Sequence, residues 1–383
     1  MNPPPAPPHN RPAATTHGAG QTVDEGKGRI FPCEQCGADL EFHIGQQSLK
    51  CPFCGFAKQL EIVEDKAVAE QDFHAMLARL AELRAAGRSD AAETSEVRCD
   101  SCGSTVVFTG TLTSKECVCC GSPIQRENVH TAENRVPADG VLPFHVEQRQ
   151  AAENLKQWVG SRWFAPNDFR QRGVQGRFNG VYLPFWTFDT MSANRFSGQR
   201  GEHYWVEEGQ GDQKRRVRHT RWWPVSGNFQ RFFDDVLVCA ATGLPKSVMT
   251  SLEPWPLATA MPFNQQVLAG FFAQTYAVSL DGGFAAAKER IDAAIAQDVR
   301  GRIGGNEQRV DSIHTRYDAL TYKHLLLPVW LLAYKYNEKT YQVVVNACTG
   351  EVQGERPHSW VKITLAVLTV AAAVAGFVLF VNR

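Results

Sequence analysis

Charge of neither sign is in excess in this chain: 40 Lys and Arg stand against 40 Asp and Glu in 383 residues. The isoelectric point is near 7.1. That balance excludes a general attraction to nucleic acid or to anionic surfaces. The common signatures of chemistry are missing as well. There is no Gly-x-Ser-x-Gly elbow, no His-Glu-x-x-His pair and no Gly-x-Gly-x-x-Gly turn. Near Gly243-Leu-Pro-Lys246-Ser247 a phosphate loop would need glycine at 240 and 245, where the chain has Ala240 and Pro245. Asp189, Asp234 and Asp235 and the histidines His145, His203, His219, His314 and His324 are scattered. No catalytic constellation and no small-molecule substrate emerge from them, so the expectation is a protein that is not an enzyme. Residues 1–28 contain no apolar run, so no signal peptide is expected.

Cysteine, by contrast, is present in a repeat. Cys33-Glu-Gln-Cys36-Gly37 precedes Cys51-Pro-Phe-Cys54-Gly55, and Cys99-Asp-Ser-Cys102-Gly103 precedes Cys117-Val-Cys-Cys120-Gly121. Each cysteine of the first cluster has its counterpart 66 positions later. Two Cys-x-x-Cys pairs at ribbon spacing form the tetrahedral thiolate site that divalent zinc prefers in structural centres. The glycine after each pair fits, because a knuckle around a metal needs a backbone turn with positive φ. Disulfides and rubredoxin-type iron compete for the same spacing, and nothing in the chain looks secreted. The reading is two zinc ions, with Cys119 left out of the ligand set because it falls off the repeat. A closed four-sulfur site has no open position for substrate or water, so its role is to fold ~30 residues that lack a core of their own. Neither ribbon carries a basic excess: residues 31–61 set Lys50 and Lys58 against Glu34, Asp39, Glu41 and Glu61. A phosphate-binding face would show one.

The chain divides accordingly. Residues 1–28, rich in Pro and Ala, read as a disordered tail. Ribbons at 29–62 and 97–128 flank a helical spacer at 63–96, whose Val68, Phe73, Met76, Leu77, Leu80 and Leu83 recur at helical spacing. Residues 135–357 hold eight of the nine tryptophans and read as an α+β domain. Helices are expected at Gln148–Gly160 and Gly283–Val299. Val181–Phe188 reads as a buried strand, with Pro184 marking an edge or bulge. The phrase Leu183-Pro184-Phe185-Trp186 returns as Leu327-Pro328-Val329-Trp330, which suggests two related halves. A hairpin is expected from Trp330–Tyr336 and Tyr341–Asn346. Cys239 and Cys348 read as small buried apolar residues.

Ile363–Val381 is nineteen residues without a charge. At 1.5 Å per residue it reaches ~28 Å, close to the ~30 Å hydrocarbon thickness. Trp360, Lys362 and Arg383 flank it as interfacial residues do. A single transmembrane helix at 360–381 is expected, with the bulk of the chain in the reducing cytoplasm. Lys214-Arg215-Arg216-Val-Arg218-His-Thr-Arg221-Trp-Trp223 is the one concentrated basic stretch. It reads first as one arm of a hairpin with His203–Glu208, placing Glu207 near Lys214. Its alternative use is contact with phosphate, on lipid headgroups or on nucleic acid.

The order of ribbons, Leu-Pro-Phe-Trp and Leu-Pro-Val-Trp phrases, the Asn346-x-x-Thr-Gly350 turn and the C-terminal span resembles a family of bacterial zinc-ribbon membrane proteins. These are labelled as primosomal protein N′ (replication factor Y), helicase-like, or as bearing a transcription-factor-IIB-type zinc finger. Some relatives are linked to phage-shock and flotillin-like membrane-stress systems. The resemblance implies zinc at the eight repeated cysteines and no single activity; the helicase label finds no nucleotide-binding loop here. The expectation is a non-enzymatic, tail-anchored adaptor recruiting cytoplasmic protein partners. A membrane-held nucleic-acid-binding protein is the alternative.

Overall fold

The computed structural model describes residues 22–24, 28–60, 67–86, 95–108, 115–117, 119–120, 122–124, 129–131, 135–163, 165–167, 178–209, 215–336, 339–357 and 359–381. Most of the expected Pro-rich tail, Lys214, Gly121 and the turn residues Asn337 and Glu338 lie outside the described residues.

The molecule is built on strands β1 (Asn179–Glu208), β2 (Arg215–Cys239), β3 (Glu307–Tyr336), β4 (Lys339–Asn346) and β5 (Val352–Gly354). The helices are α1 (Phe73–Ala85), α2 (Gln148–Gly160), α3 (Leu280–Ile303) and α4 (Trp360–Val381). Strand β1 lies between β2 and β3, antiparallel to both. With 30 residues each in β1 and β3, at roughly 3.3 Å per residue the contour approaches ~100 Å. Sequence reading finds both ends of β1 and only the C-terminal end of β3. Their middle alternates polar with apolar weakly, because much of one face is open to water.

The two tryptophan phrases meet in the structure. They lie side by side in one sheet, Leu183 opposite Leu327 and Phe185 opposite Leu325. Pro184 lies on a central strand, at the point where one of its two ladders stops. The Pro184 carbonyl accepts from the Ala240 amide, so its missing N–H points toward β2. There the β1–β2 ladder has already ended, at Phe185 opposite Cys239. Pro328 repeats the device: it precedes the first β3–β4 pair, Val329 opposite Asn346.

Midway along, both outer strands carry one extra residue opposite Asp189–Thr190. Asp235 and Ala319 take positive φ there (49° and 51°). Paired bulges bend the sheet and increase its twist. Helix α3 lies along the bent part, burying Gly283, Ala287, Ile291, Ile295, Val299 and Ile303 at every fourth position. Gly283 is required by close approach: a Cβ there would stand 2.5 Å from Cδ1 of Trp186. The α1 spacer begins at Asp72, whose side chain caps the Ala75 amide at 2.7 Å. It packs Phe73 against Phe188 and Phe284, so its apolar stripe is spent within the chain.

Residue parity divides the core at the end of the sheet away from the β1–β2 turn. Even-numbered Tyr182, Leu326, Trp330, Leu332 and Tyr334 face one side and pack with α2. Odd-numbered Val181, Leu183, Phe185, Leu325, Leu327, Val329 and Leu331 face the other and pack with Met249, Leu252 and Trp255. Helix α4 leaves the body: none of residues 360–378 is buried, and it is long and apolar enough to cross a membrane.

Candidate metal centres

Each cysteine cluster is assembled by two tight knuckles. In the first, the Cys33 amide donates to the Ala38 carbonyl (2.6 Å) and the Gly37 amide returns to Cys33 (2.8 Å); Cys51, Phe56 and Gly55 repeat this at 2.8 and 3.1 Å. Cys99, Ser104 and Gly103 do the same at 2.8 and 2.7 Å. Gly37, Gly55 and Gly103 sit at φ +74°, +76° and +74°, the left-handed turn expected of them.

The knuckles bring four sulfurs together in each cluster, all within 4.8 Å of one another. Cys33 to Cys54 and Cys36 to Cys51 are both 3.5 Å; Cys99 to Cys120 is 3.7 Å and Cys102 to Cys117 is 3.6 Å. A tetrahedral centre with metal–sulfur bonds of ~2.3 Å requires sulfurs ~3.8 Å apart. Both clusters fit a metal ion held by four thiolates. Hydrogen bonding already favours the thiolate at one cysteine of each. The Cys54 amide is the main influence bringing Cys51 down to about 6, and the Cys102 thiol holds Cys117 far below the ordinary range.

The surroundings of the two clusters differ. The first ribbon docks on the even face: the Phe42 amide donates to Ala269 at 3.1 Å, and Gln47 Nε2 reaches the Phe144 carbonyl at 2.9 Å. Cys33, Leu40, Phe42, Leu49 and Cys51 join that core, while Cys36 and Cys54 remain exposed. The second ribbon docks on the odd face and is swallowed more deeply. Thr242 Oγ1 donates to the Gly103 carbonyl at 2.7 Å. Gly243, at φ +87°, lies so close that a Cβ would be 3.1 Å from Cys102 Sγ and 3.0 Å from Ser104 Cβ.

Cys119 is fully buried beside this cluster. Its amide donates to Cys117 Sγ at 3.4 Å, Gln274 Nε2 donates to its sulfur at 2.7 Å, and Gln342 Nε2 donates to its carbonyl at 2.8 Å. Contacts with the sulfurs of Cys102 and Cys117, then burial, push its thiol well up. It forms a second layer behind the four repeated cysteines. Sequence reading misses Thr242, Gly243, Gln274 and Gln342 as supports of this centre. Only the Thr-Gly pair carries a turn signal, and the long-range contacts leave none.

The basic stretch does form a hairpin arm with β1, in a register two residues from expectation. Glu207 faces Arg216, not Lys214; Glu208 faces Arg215 and Glu202 faces Arg221. Arg216 lies over Trp205 (5.8 Å) and Arg221 over Tyr204 (5.0 Å), and Arg218 faces Trp205 across the ladder. Three glutamates thus stand opposite three of the arginines. Of the acids that looked scattered, Asp189 and Asp235 meet at the bulge around Lys323, whose Nζ is 2.8 Å from Asp235, 3.3 Å from Glu70 and 3.9 Å from Asp189. Burial first, and Glu70 second, raise the Asp189 carboxyl to about 7. His324 is buried, its ring tilted against Trp186 at 4.6 Å between centroids, a core residue.

Fold and sites together define a sheet-rich chain of mixed α and β structure, with two tetracysteine clusters and one apolar C-terminal helix. No family model matches it, and no solved structure does. Among curated proteins it is similar to uncharacterized protein YdjG of Bacillus subtilis (strain 168), 26% identical over 226 residues. That alignment takes in 58% of this chain and 64% of the relative, less than two thirds of its length.

Proposed function

We propose that this chain is a membrane-tethered adaptor in which two zinc ions act as scaffolding and no reaction is catalysed. Four thiolates per ion close the coordination shell, which leaves no position for substrate. Each ion clamps one face of the same sheet, and α4 moors that sheet in the bilayer with the bulk of the chain in the cytoplasm. The observation that carries the reading is the far end of the β1–β2 hairpin. Beyond Gly201, opposite the first residue of β3, two strands continue alone past the end of α3. There they present Tyr204, Trp205 and Val206 to solvent, with Trp223 just before that point, opposite Arg200; the four are 39–56% exposed. Exposed aromatics on a rigid ribbon are what a protein partner reads. This tip and α4 leave from opposite ends of one ladder, so the tip is carried away from the anchor.

The test is capture of partners from membranes with the full chain, identified by mass spectrometry. Trp205→Ala with Trp223→Ala is expected to lose the proteins that the parent chain retains. Equal capture by both refutes the tip as the docking element. The nucleic-acid alternative predicts binding to DNA or RNA that falls steeply with added salt; glutamates opposite Arg215, Arg216 and Arg221 argue against it.

A further inference from the structure

The apolar helix meets the body at a patch with its own chemistry. Trp360 on α4 is 79% exposed, and Trp163, in the loop after α2, is 70% exposed. Lys362 ties the two elements together, its Nζ donating to the carbonyls of Trp163 (3.0 Å) and Ala165 (2.8 Å), 6.0 Å from the Trp163 ring. The loop therefore stands at the level where the uncharged run begins. Indoles at that level sit among headgroups.

Two arginines flank the same place. Arg162 rests over the Trp158 ring at 4.8 Å, with its Nε buried and without a hydrogen-bond partner. Arg356, four residues before α4, is half-buried; that burial first, and the charge of Arg162 second, disfavour its charged form. Among the described residues neither arginine makes an ion pair. The Lys362 bonds tie the loop after Arg162 to the segment that follows Arg356, and half-buried cations without acidic partners at that level call for an anion. Guanidinium forks suit a phosphate diester in particular.

We infer that Arg162 and Arg356, framed by Trp163, Trp360 and Lys362, form a binding site for the phosphate of an anionic phospholipid in the leaflet where α4 enters. The site rests on the reading that α4 spans the bilayer. It differs from the Arg215–Arg221 stretch, which lies at the other end of the ladder. The bilayer supplies the ligand at high local concentration, and the site orients the body on its surface. Thus α4 anchors while the arginines fix the angle of the sheet.

The experiment uses the full chain in detergent, titrated with phosphatidylglycerol or phosphatidylcholine, with retained lipid counted by native mass spectrometry. The parent chain should retain the anionic lipid about tenfold better, and R162Q/R356Q should lose that preference. Should the double variant not fold, R162Q and R356Q singly should each lose part of it. Equal retention of the two lipids by the parent, or undiminished preference in the variants, overturns the site. So does inorganic phosphate that matches phosphatidylglycerol in raising the melting temperature of the parent chain, because the ligand would then be a soluble anion. Recovery of the full chain in the aqueous phase without detergent is a separate result, and it refutes the membrane span itself.

Discussion

The two cysteine clusters share a motif, a spacing and a knuckle geometry, and each buries its first and third cysteines; they differ at the other two and in what packs around them. The first keeps Cys36 and Cys54 at the surface with Phe53 81% exposed beside them. The second has Cys99, Cys117 and Cys119 in the core, Ser104 fully buried between sulfurs, and the backbone of Gly243 against Cys102. The motif fixes how sulfurs converge; the packing partner decides how much of the fold depends on them. At the first ribbon, losing an ion would expose a surface knuckle. At the second it would leave polarisable, hydrogen-bonded thiols inside the odd-face core.

The largest expected effect tests that asymmetry directly. Cys117→Ser should destabilise the whole sheet by more than about 5 kcal/mol, because the buried centre and the core beneath it fail together. Cys36→Ser should lose one ion while the thermal unfolding of the sheet moves by only a few degrees. Equal losses in calorimetry would break the comparison.

Glycine substitutions sharpen it. Gly243→Ala forces a Cβ into contact with Cys102 and Ser104 at a positive φ, costing about 2–3 kcal/mol and weakening metal retention at the second cluster. Gly270→Ala, at φ +83°, meets Glu41 at Cγ (3.3 Å), Cβ (3.4 Å) and Cα (3.7 Å) and no cysteine, so about 1 kcal/mol is expected, with both ions retained. Chemical denaturation and metal analysis of the two variants check this. A third pair separates support from ligation. Cys119→Ala should cost about 1–2 kcal/mol of packing and hydrogen bonding and still bind two ions, whereas Phe53→Ala should change stability by less than about 0.5 kcal/mol. One ion in the Cys119 variant would make that residue a ligand.

Asp189 provides the control that touches neither centre. Its folded carboxyl titrates near 7, above an unfolded value of ~3.9. The stability it contributes is thus fully present below pH 4 and is lost as pH rises through 7. Between pH 6 and 8 the parent chain should lose about 1 kcal/mol, and Asp189→Asn should flatten that slope. Metal content at both clusters should be unchanged throughout. A slope identical in parent and variant would assign the pH dependence elsewhere.

Much of this was legible in residue order, for identifiable reasons. Eight cysteines at a 66-residue repeat name their own partners, and nineteen uncharged residues name a membrane-length helix. Helix α2 was readable to its ends, because Gln148–Gly160 alternates faces cleanly. Strands β1 and β2 were not. The hairpin arm His203–Glu208 was legible, but from Ser192 to Glu202 the residues alternate without an apolar face, and their order comes from hydrogen bonding to neighbours far away in sequence. The docking of each ribbon was illegible too. Which face of a sheet a knuckle covers is decided by residue parity in strands more than 60 positions away, and parity shows only once the register is known.

The central claim is that sulfur-bound zinc holds both faces of one sheet, and timed extraction of metal from the purified full chain tests it most directly. The account predicts two zinc ions per chain, released to a chelator in two phases. The Cys33–Cys54 ion should leave first without unfolding, and the Cys99–Cys120 ion only as the sheet melts. A chain that carries no zinc and is natively folded would contradict it, as would both ions leaving together from an intact fold.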